Sequence, residues 1–343
     1  MPMDKSTADA YSYAKASGIL ARSYVGKRSS LLFNTKSLGE LWSLVSKKEV
    51  PALPEALLAR ALEKEALQVF IDDYKKLISN YQQPSELLIS LIQFYDYDNL
   101  KEISAALTLG EKKEIEYADI SPFNILNYSA WPDLEKMTAG GPLSWCKTPP
   151  ELLAQKDNDH RLDLQYIQQI FTSLEKLDSE CRNDVKALIT ENYMMQNVLW
   201  ALRLRLYYQM TDQEIIELLA YSNEEKNPSD PLACEAVKIL SIDPDDYDSW
   251  KKWKYASMLN PHEEGVVWSV DPRWITNSFR SYYVKKAYRL FHRFPFSPCP
   301  LVCYFILKRE ELDTIRTASE SLRLRINPSE AMVLSGITEA KNG

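Results

Sequence analysis

Glycine is scarce in this chain, with nine residues in 343, under half the usual share of a globular protein. Sheet-rich folds and phosphate-cradling loops need glycine wherever the backbone turns left-handed, so the shortage points to helices. Histidine is scarcer still: His160, His262 and His292 lie far apart, and a His-rich metal site has nothing to build on. The five cysteines are Cys146, Cys181, Cys234, Cys299 and Cys303, an odd number with no CxxC pair. That usage predicts buried, reduced thiols in a cytosolic protein. Nucleophile elbow, Walker loop, HExxH and GxGxxG are all missing, which removes the usual positive grounds for an enzyme. No catalytic, cofactor-binding or metal-ligating residue is assigned.

Long apolar runs are missing too. The stretch Leu301 to Leu307 falls far short of the ~20 residues a bilayer span requires. The opening MPMDKSTADAYSYAK has no apolar core of a signal peptide, so the protein is expected to stay where it is made. Nor is there a block of Lys and Arg. With a net charge of -7, the chain is not expected to bind nucleic acid, which needs a basic face that releases counterions. An anionic membrane surface would repel the same average surface, so membrane contact is expected to run through a protein partner.

What the chain does have is 45% apolar residues, 26% charged residues and an aromatic share of 11%, the composition of a folded protein. Apolar positions recur at helical spacing. Leu58, Leu62, Leu67, Phe70 and Tyr74 form one stripe between Leu57 and Leu77, and Leu162–Leu174 and Ile275–Phe291 behave alike. Prolines break these stretches at 51 and 54, at 122, 132 and 142 beside Gly140 and Gly141, and at 228, 231 and 244. Thr211-Asp212-Gln213-Glu214 reads as a capping box, and Asn327-Pro328-Ser329-Glu330 as a second with Pro328 at the first helical position.

A long repeat underlies the pattern. A helix with an acidic or aromatic signature is followed by a helix with a polar one: Tyr74 then Asn99, Phe171 then Asn197, Tyr283 then Thr314. The period, about one hundred residues, exceeds any solenoid unit of ~20–50 and fits three similar helical domains, expected over 1–118, 119–222 and 223–343. The Asn of each repeat is expected to tie its helix to a neighbouring backbone, because a buried amide must be satisfied.

At this point the residues resemble a known family, the C-type subunits of bacterial and archaeal V/A-type ATPases, whose eukaryotic members are called d-type. Tyr95-Asp96-Tyr97-Asp98-Asn99-Leu100-Lys101 looks like the family's YDxxNLK element, and the helix carrying Tyr11 and Tyr13 is similar to its opening YxYxxAR helix. Asn197 with Arg203 matches NIxxxLR. Pro300, Leu301, Tyr304, Lys308, Glu311, Leu312, Ile315 and Arg316 match PLxxY…KxxEIxNLR. The four elements run in the family's order over nearly the whole length. Arg309 stands where the family usually has Glu, and Thr314 where it usually has Asn. The segment Asn223 to Val270, acidic between Asp243 and Glu264, looks lengthened.

The resemblance implies an all-α funnel, three similar helical domains round a pseudo-threefold axis, on the cytoplasmic face of a membrane. It implies a non-catalytic central-stalk part with no cofactor. Its partners are implied to be the central-shaft subunits and the membrane proteolipid ring, in a complex for proton or sodium transport or ATP synthesis.

Other readings compete locally. Asp72-Asp73 and Asp245-Asp246-Tyr247-Asp248 resemble the magnesium motifs of all-α isoprenoid synthases, the rival enzyme class. Position i+4 of the first motif is Lys76 rather than Asp, however, and the second follows Pro244, where acidic residues suit a helix start. Both are expected on solvated faces or caps. A calcium loop from Asp96 would need Gly and Glu where Lys101 and Leu107 stand, so Asp96, Asp98 and Asn99 are expected at a helix N-terminus. Arg203, Arg205, Arg323 and Arg325 are expected to pair with nearby Glu, with a grip on acidic groups of the shaft or ring as the alternative.

Overall fold

The computed structural model describes residues 2–337 except Lys112 and Glu264. It is all-helical: α1 (Lys5–Leu20), α2 (Ser30–Phe33), α3 (Leu38–Ser46), α4 (Glu55–Ile78), α5 (Glu86–Thr108), α6 (Leu134–Thr138) and α7 (Gln155–Glu175). There follow α8 (Ser179–Tyr208), α9 (Asp212–Glu217), α10 (Cys234–Leu240), α11 (Tyr247–Trp250), α12 (Pro272–Arg293), α13 (Cys299–Arg323) and α14 (Pro328–Leu334). Among the described residues no β-strand forms, only an isolated bridge between Met3 and Tyr81.

The three amphipathic stretches lie inside α4, α7 and α12, each running slightly further than its apolar stripe. Local chemistry sets the ends. Asn80 closes α4 by donating to the carbonyls of Lys76 (2.7 Å) and Leu77 (3.2 Å). Thr211 and Glu214 form the expected reciprocal box on α9. Asp246 caps α11, so the acidic run after Pro244 does begin a helix. Asn327 caps α14 through the Ser329 amide with Pro328 at its first turn; the expected box is only half made, since Glu330 does not reach back. Gly336 then turns with φ +66, and an added Cβ would stand 2.6 Å from Asn277 of α12, so this corner needs glycine.

Six long helices form a closed circuit. In order, α4 packs on α5, α5 on α7, α7 on α8, α8 on α12, α12 on α13, and α13 returns to α4. The seam between α13 and α4 is aromatic. Tyr74 stacks on Tyr304 with centroids 6.3 Å apart, while Phe70 and Tyr74 meet Phe305 at 5.3 and 5.2 Å. One core cluster runs from α1 through the circuit to α13. A second joins α2, α3 and the first half of α4 to Ile315, Ala318 and α14. Of the expected stripe on α4, Leu58, Leu62, Phe70 and Tyr74 are buried and Leu67 half-buried. All cysteines are free, and all but half-buried Cys234 are buried.

Several local expectations fail. Asp96, Asp98 and Asn99 are not an N-terminal cap: α5 begins ten residues before Asp96, after Pro84, and these residues sit in its interior. Asp72 and Asp73 are half-buried within α4 rather than solvated, and burial raises the Asp73 pKa against the pull of Lys308. Of the four arginines only Arg323 pairs with a Glu, Glu320. Arg205 donates to the carbonyls of Leu240 (2.6 Å) and Ile242 (3.0 Å), closing the end of α10. Arg325 instead takes a left-handed φ of 56 just past α13.

Tyr74 is fully buried, and its hydroxyl donates to the Leu88 carbonyl at 3.1 Å. Tyr74→Ala should therefore lower stability by roughly 3–5 kcal/mol in urea unfolding. A loss under about 1 kcal/mol would show that the seam does not carry the fold.

Candidate functional site

The family-signature residues first act as internal fasteners. On α5 the Asp96 carboxylate turns outward from the helix to a non-helical strap. It accepts from the Ile125 amide (2.5 Å), the Leu126 amide (3.3 Å) and the Tyr128 hydroxyl (2.5 Å). Burial pushes its pKa up to about 6, against these hydrogen bonds. One turn on, Asn99 donates to the Ala118 carbonyl (2.9 Å) and accepts from the Ala118 amide (3.1 Å). Its amide also reaches the Tyr128 hydroxyl at 2.6 Å. Tyr95 is buried between Phe70 and Phe94, Leu100 is fully buried, and Lys101 pairs with Asp163 of α7 at 2.5 Å.

The same device recurs on α8. Asn197 donates to the carbonyls of Ala220 and Leu232, and accepts from the Ala220 amide, each at 2.8 Å. Each Asn thus clips a segment some twenty residues downstream onto its own helix, as the repeat anticipates. On α13 the equivalent position holds Thr314, and the arrangement differs. Arg280 of α12 donates to the Thr314 hydroxyl (2.7 Å) and the Glu310 carbonyl (2.9 Å), and pairs with the Glu310 carboxylate at 2.6 Å.

Elsewhere on α13, Tyr304 and Ile315 are buried, and Arg316 reaches Glu63 of α4 at 3.1 Å. Lys308 and Glu311 form a buried ion pair. Glu311 also accepts the Tyr24 amide at 2.5 Å, and Lys308 reaches the Ser23 hydroxyl at 3.3 Å, so the pair anchors the corner after α1. Tyr13 hydrogen-bonds His292 of α12 at 2.9 Å, whereas Tyr11 is exposed.

Clefts of about 480, 470 and 130 Å³ share one wall residue, Arg309 of α13. The first opens between α7 and α8 and is lined by Tyr166, Asn192, Tyr193, Gln196 and Arg203. Asp313 borders the second and third. Of the signature residues only Arg203, Tyr95, Asn99, Asn197, Leu312, Ile315 and Arg316 touch these spaces. Among the described residues no three His, Cys, Asp or Glu side chains gather as a metal site. Asp72 accepts from Gln68, and Asp246 is occupied in capping α11.

A family model for the ATP synthase (C/AC39) subunit matches residues 32–332. The chain belongs to the ATP synthase C/AC39 subunit family. Membership makes it a C-type subunit of a V/A-type ATPase, in a family of non-catalytic subunits. It is also 26% identical over 322 residues to a protein of Treponema pallidum (strain Nichols) described as uncharacterized, with 94% of each chain covered. No described helix of this C/AC39 chain is long and apolar enough to cross a membrane.

Two groups of this C/AC39 chain escape sequence reasoning. Arg309 stands out there only as a departure from the family pattern. Glu191 of α8 gives no sign at all, although it gathers Lys286 (2.6 Å), Tyr282 (3.2 Å) and Tyr255 (3.3 Å) and so ties α8 to α12. A lone Glu on a polar helix face carries no signal of such convergence.

Asp96 predicts a pH dependence. Its unfolded pKa is about 3.9, so between about pH 4 and pH 6 the native state holds a proton that the unfolded chain has lost. Stability should fall as pH rises through that window and level off above it. Relative to Asp96→Asn, the wild type should lose roughly 1–3 kcal/mol between about pH 4 and pH 7 in urea titrations; no slope would mean an ordinary carboxylate, and an opposite slope one whose pKa falls on folding. Asn197→Leu strands three backbone groups and should cost about 2–4 kcal/mol. Limited proteolysis should then cut faster between residues 209 and 233, and unchanged cleavage would dismiss the clip.

Proposed function

We propose that this chain is the non-catalytic socket of a rotary V/A-type ATPase, seating the central shaft on the membrane proteolipid ring. The shaft end enters the space enclosed by the six-helix circuit, and the outer face of one end rests on the ring at the cytoplasmic side. The chain passes torque between ATP turnover and movement of protons or sodium ions, in either direction, and makes or breaks no bond itself. The expected units 1–118, 119–222 and 223–343 are then successive sectors round a pseudo-threefold axis, with α1–α3 reaching across to α13 and α14.

The observation that carries this reading is the closed circuit, with clefts that meet at Arg309. A torque-bearing part must be stiff. Close-packed aromatic seams resist deformation, and clips such as Asn99 and Asn197 pin the irregular straps to the helices.

The test is recovery of assembly partners. A tagged chain in its native host should bring down shaft subunits and proteolipid from detergent extracts, and its deletion should uncouple ATP hydrolysis from ion movement. Recovery of neither partner, with ion transport intact in the deletion strain, would sink the reading.

A further inference from the structure

The cleft between α7 and α8 gathers side-chain donors that find no acceptor within the described chain. Arg309 projects into it from α13, its guanidinium stacked 3.9 Å from the Phe94 ring. Among the described residues that guanidinium has no hydrogen bond and no ion pair, although it is half-buried. Five N–H donors held on an aromatic face and left without an acceptor are an incomplete arrangement. Arg203 lines the same cleft, held only by Thr276 at 3.3 Å. Asn192 and Gln196 add side-chain amides that likewise have no partner among the described residues, and the buried Nε2 of His160 is unpaired. Of the carboxylates nearby, Asp163 in the wall is neutralised by Lys101 at 2.5 Å, Glu310 is paired with Arg280, and Asp313 faces the adjoining clefts, attracting Arg309 without a hydrogen bond to it. On a chain of net charge -7, this is a local concentration of free donors and positive charge.

The neighbouring surface is apolar. Trp200 is 40% exposed at the rim, and Leu199, Ile167 and Tyr166 continue the wall inward. A small free anion would satisfy the cations and leave these rings wet. An amphipathic protein segment satisfies both, because its acidic side chain meets the guanidiniums while its apolar neighbours cover Trp200.

We propose that this cleft receives an acidic side chain of the shaft, its carboxylate held by Arg309 and Arg203 with Asn192 and Gln196 as flanking donors. The inference rests on the coupling role proposed above and adds the recognition chemistry. An arginine fork matches a carboxylate in two parallel hydrogen bonds, which fixes orientation as well as charge. A socket with such a contact is keyed: the two-bond geometry of the fork fixes the rotational setting in which the shaft docks.

The experiment is titration calorimetry of the full chain with its cognate shaft subunits at about 50 and about 300 mM salt. R309Q should weaken binding roughly tenfold or more, R203Q less, and R309K should recover part of the loss. Salt should weaken the wild type more than R309Q, while capture of the proteolipid ring stays unchanged in all variants. Circular dichroism checks folding, and R309K, which keeps the charge, supplies a second variant should R309Q unfold. If the wild type binds and R309Q or R309K binds within about twofold with no difference in salt response, the inference is overturned and the coupling role stands. If the wild type does not bind the shaft, the coupling role falls instead. Thermal shifts with glutamate, acetate and inorganic phosphate then decide the cleft. Stabilisation lost in R309Q assigns it to a free anion, and no stabilisation removes the site; either result also overturns the inference.

Discussion

The structure depends on burying α13 along its length. This helix meets α4, α5, α8 and α12 inside the circuit and α1, α2, α3 and α14 outside it. Such a helix keeps only a narrow polar face, on which Asp313, Arg316 and Arg323 are exposed, and the charges it buries most deeply need partners inside the protein. Lys308 and Glu311 find them by pairing with each other and then engaging Ser23 and the Tyr24 amide. A buried pair of this kind is a weak source of net stability but a strong source of register, since removing one partner leaves the other charge stranded. The corner at Ser23 and Tyr24 is thereby tied to Lys308 and Glu311, some 285 residues further along the chain.

A second requirement follows from the long connections. The segments between α5 and α7, and between α8 and α12, are largely irregular and carry many backbone groups that no helix ladder satisfies. Buried polar residues in the middle of α5 and α8 meet that need. Asp96 and Asn99 serve the first strap, and Asn197 serves the second. No long strap follows Thr314, because α13 leads almost directly into α14. A residue that clips no loop has no need of an amide's paired donor and acceptor, and Thr with Arg280 suffices.

Most of the helical skeleton is legible in the sequence because it rests on local rules. Periodicity marks α4, α7 and α12, prolines mark the breaks, and Thr211 with Glu214 announces α9. Asn99 and Asn197 are readable as fasteners because the repeat sets them side by side. Asp96 misleads because a carboxylate cluster looks the same in a cap and in a helix interior; what distinguishes them is a strap returning some thirty residues later, a long-range fact. Arg203 and Arg205 mislead for the same reason, as their acceptors are a hydroxyl on α12 and carbonyls at the end of α10. Arg309 is visible as an unusual residue. Its isolation from any acceptor emerges only when α5, α7 and α8 are placed around it.

The circuit also has an uneven continuity. α4 and α5, α7 and α8, and α12 and α13 are joined by brief turns, and two longer connections carry the chain between those pairs. From α13 back to α4 the chain makes no direct connection, and side chains form the join: the rings of Phe70, Tyr74, Tyr304 and Phe305, the aliphatic cluster of Leu58 and Leu62 with Ile315 and Ala318, and the Arg316–Glu63 contact. A hoop fastened at one place by side chains alone behaves like a clasped collar, whose integrity rests on how closely that one join is packed. Four buried aromatic rings thus stand where the polypeptide itself offers no tensile strength.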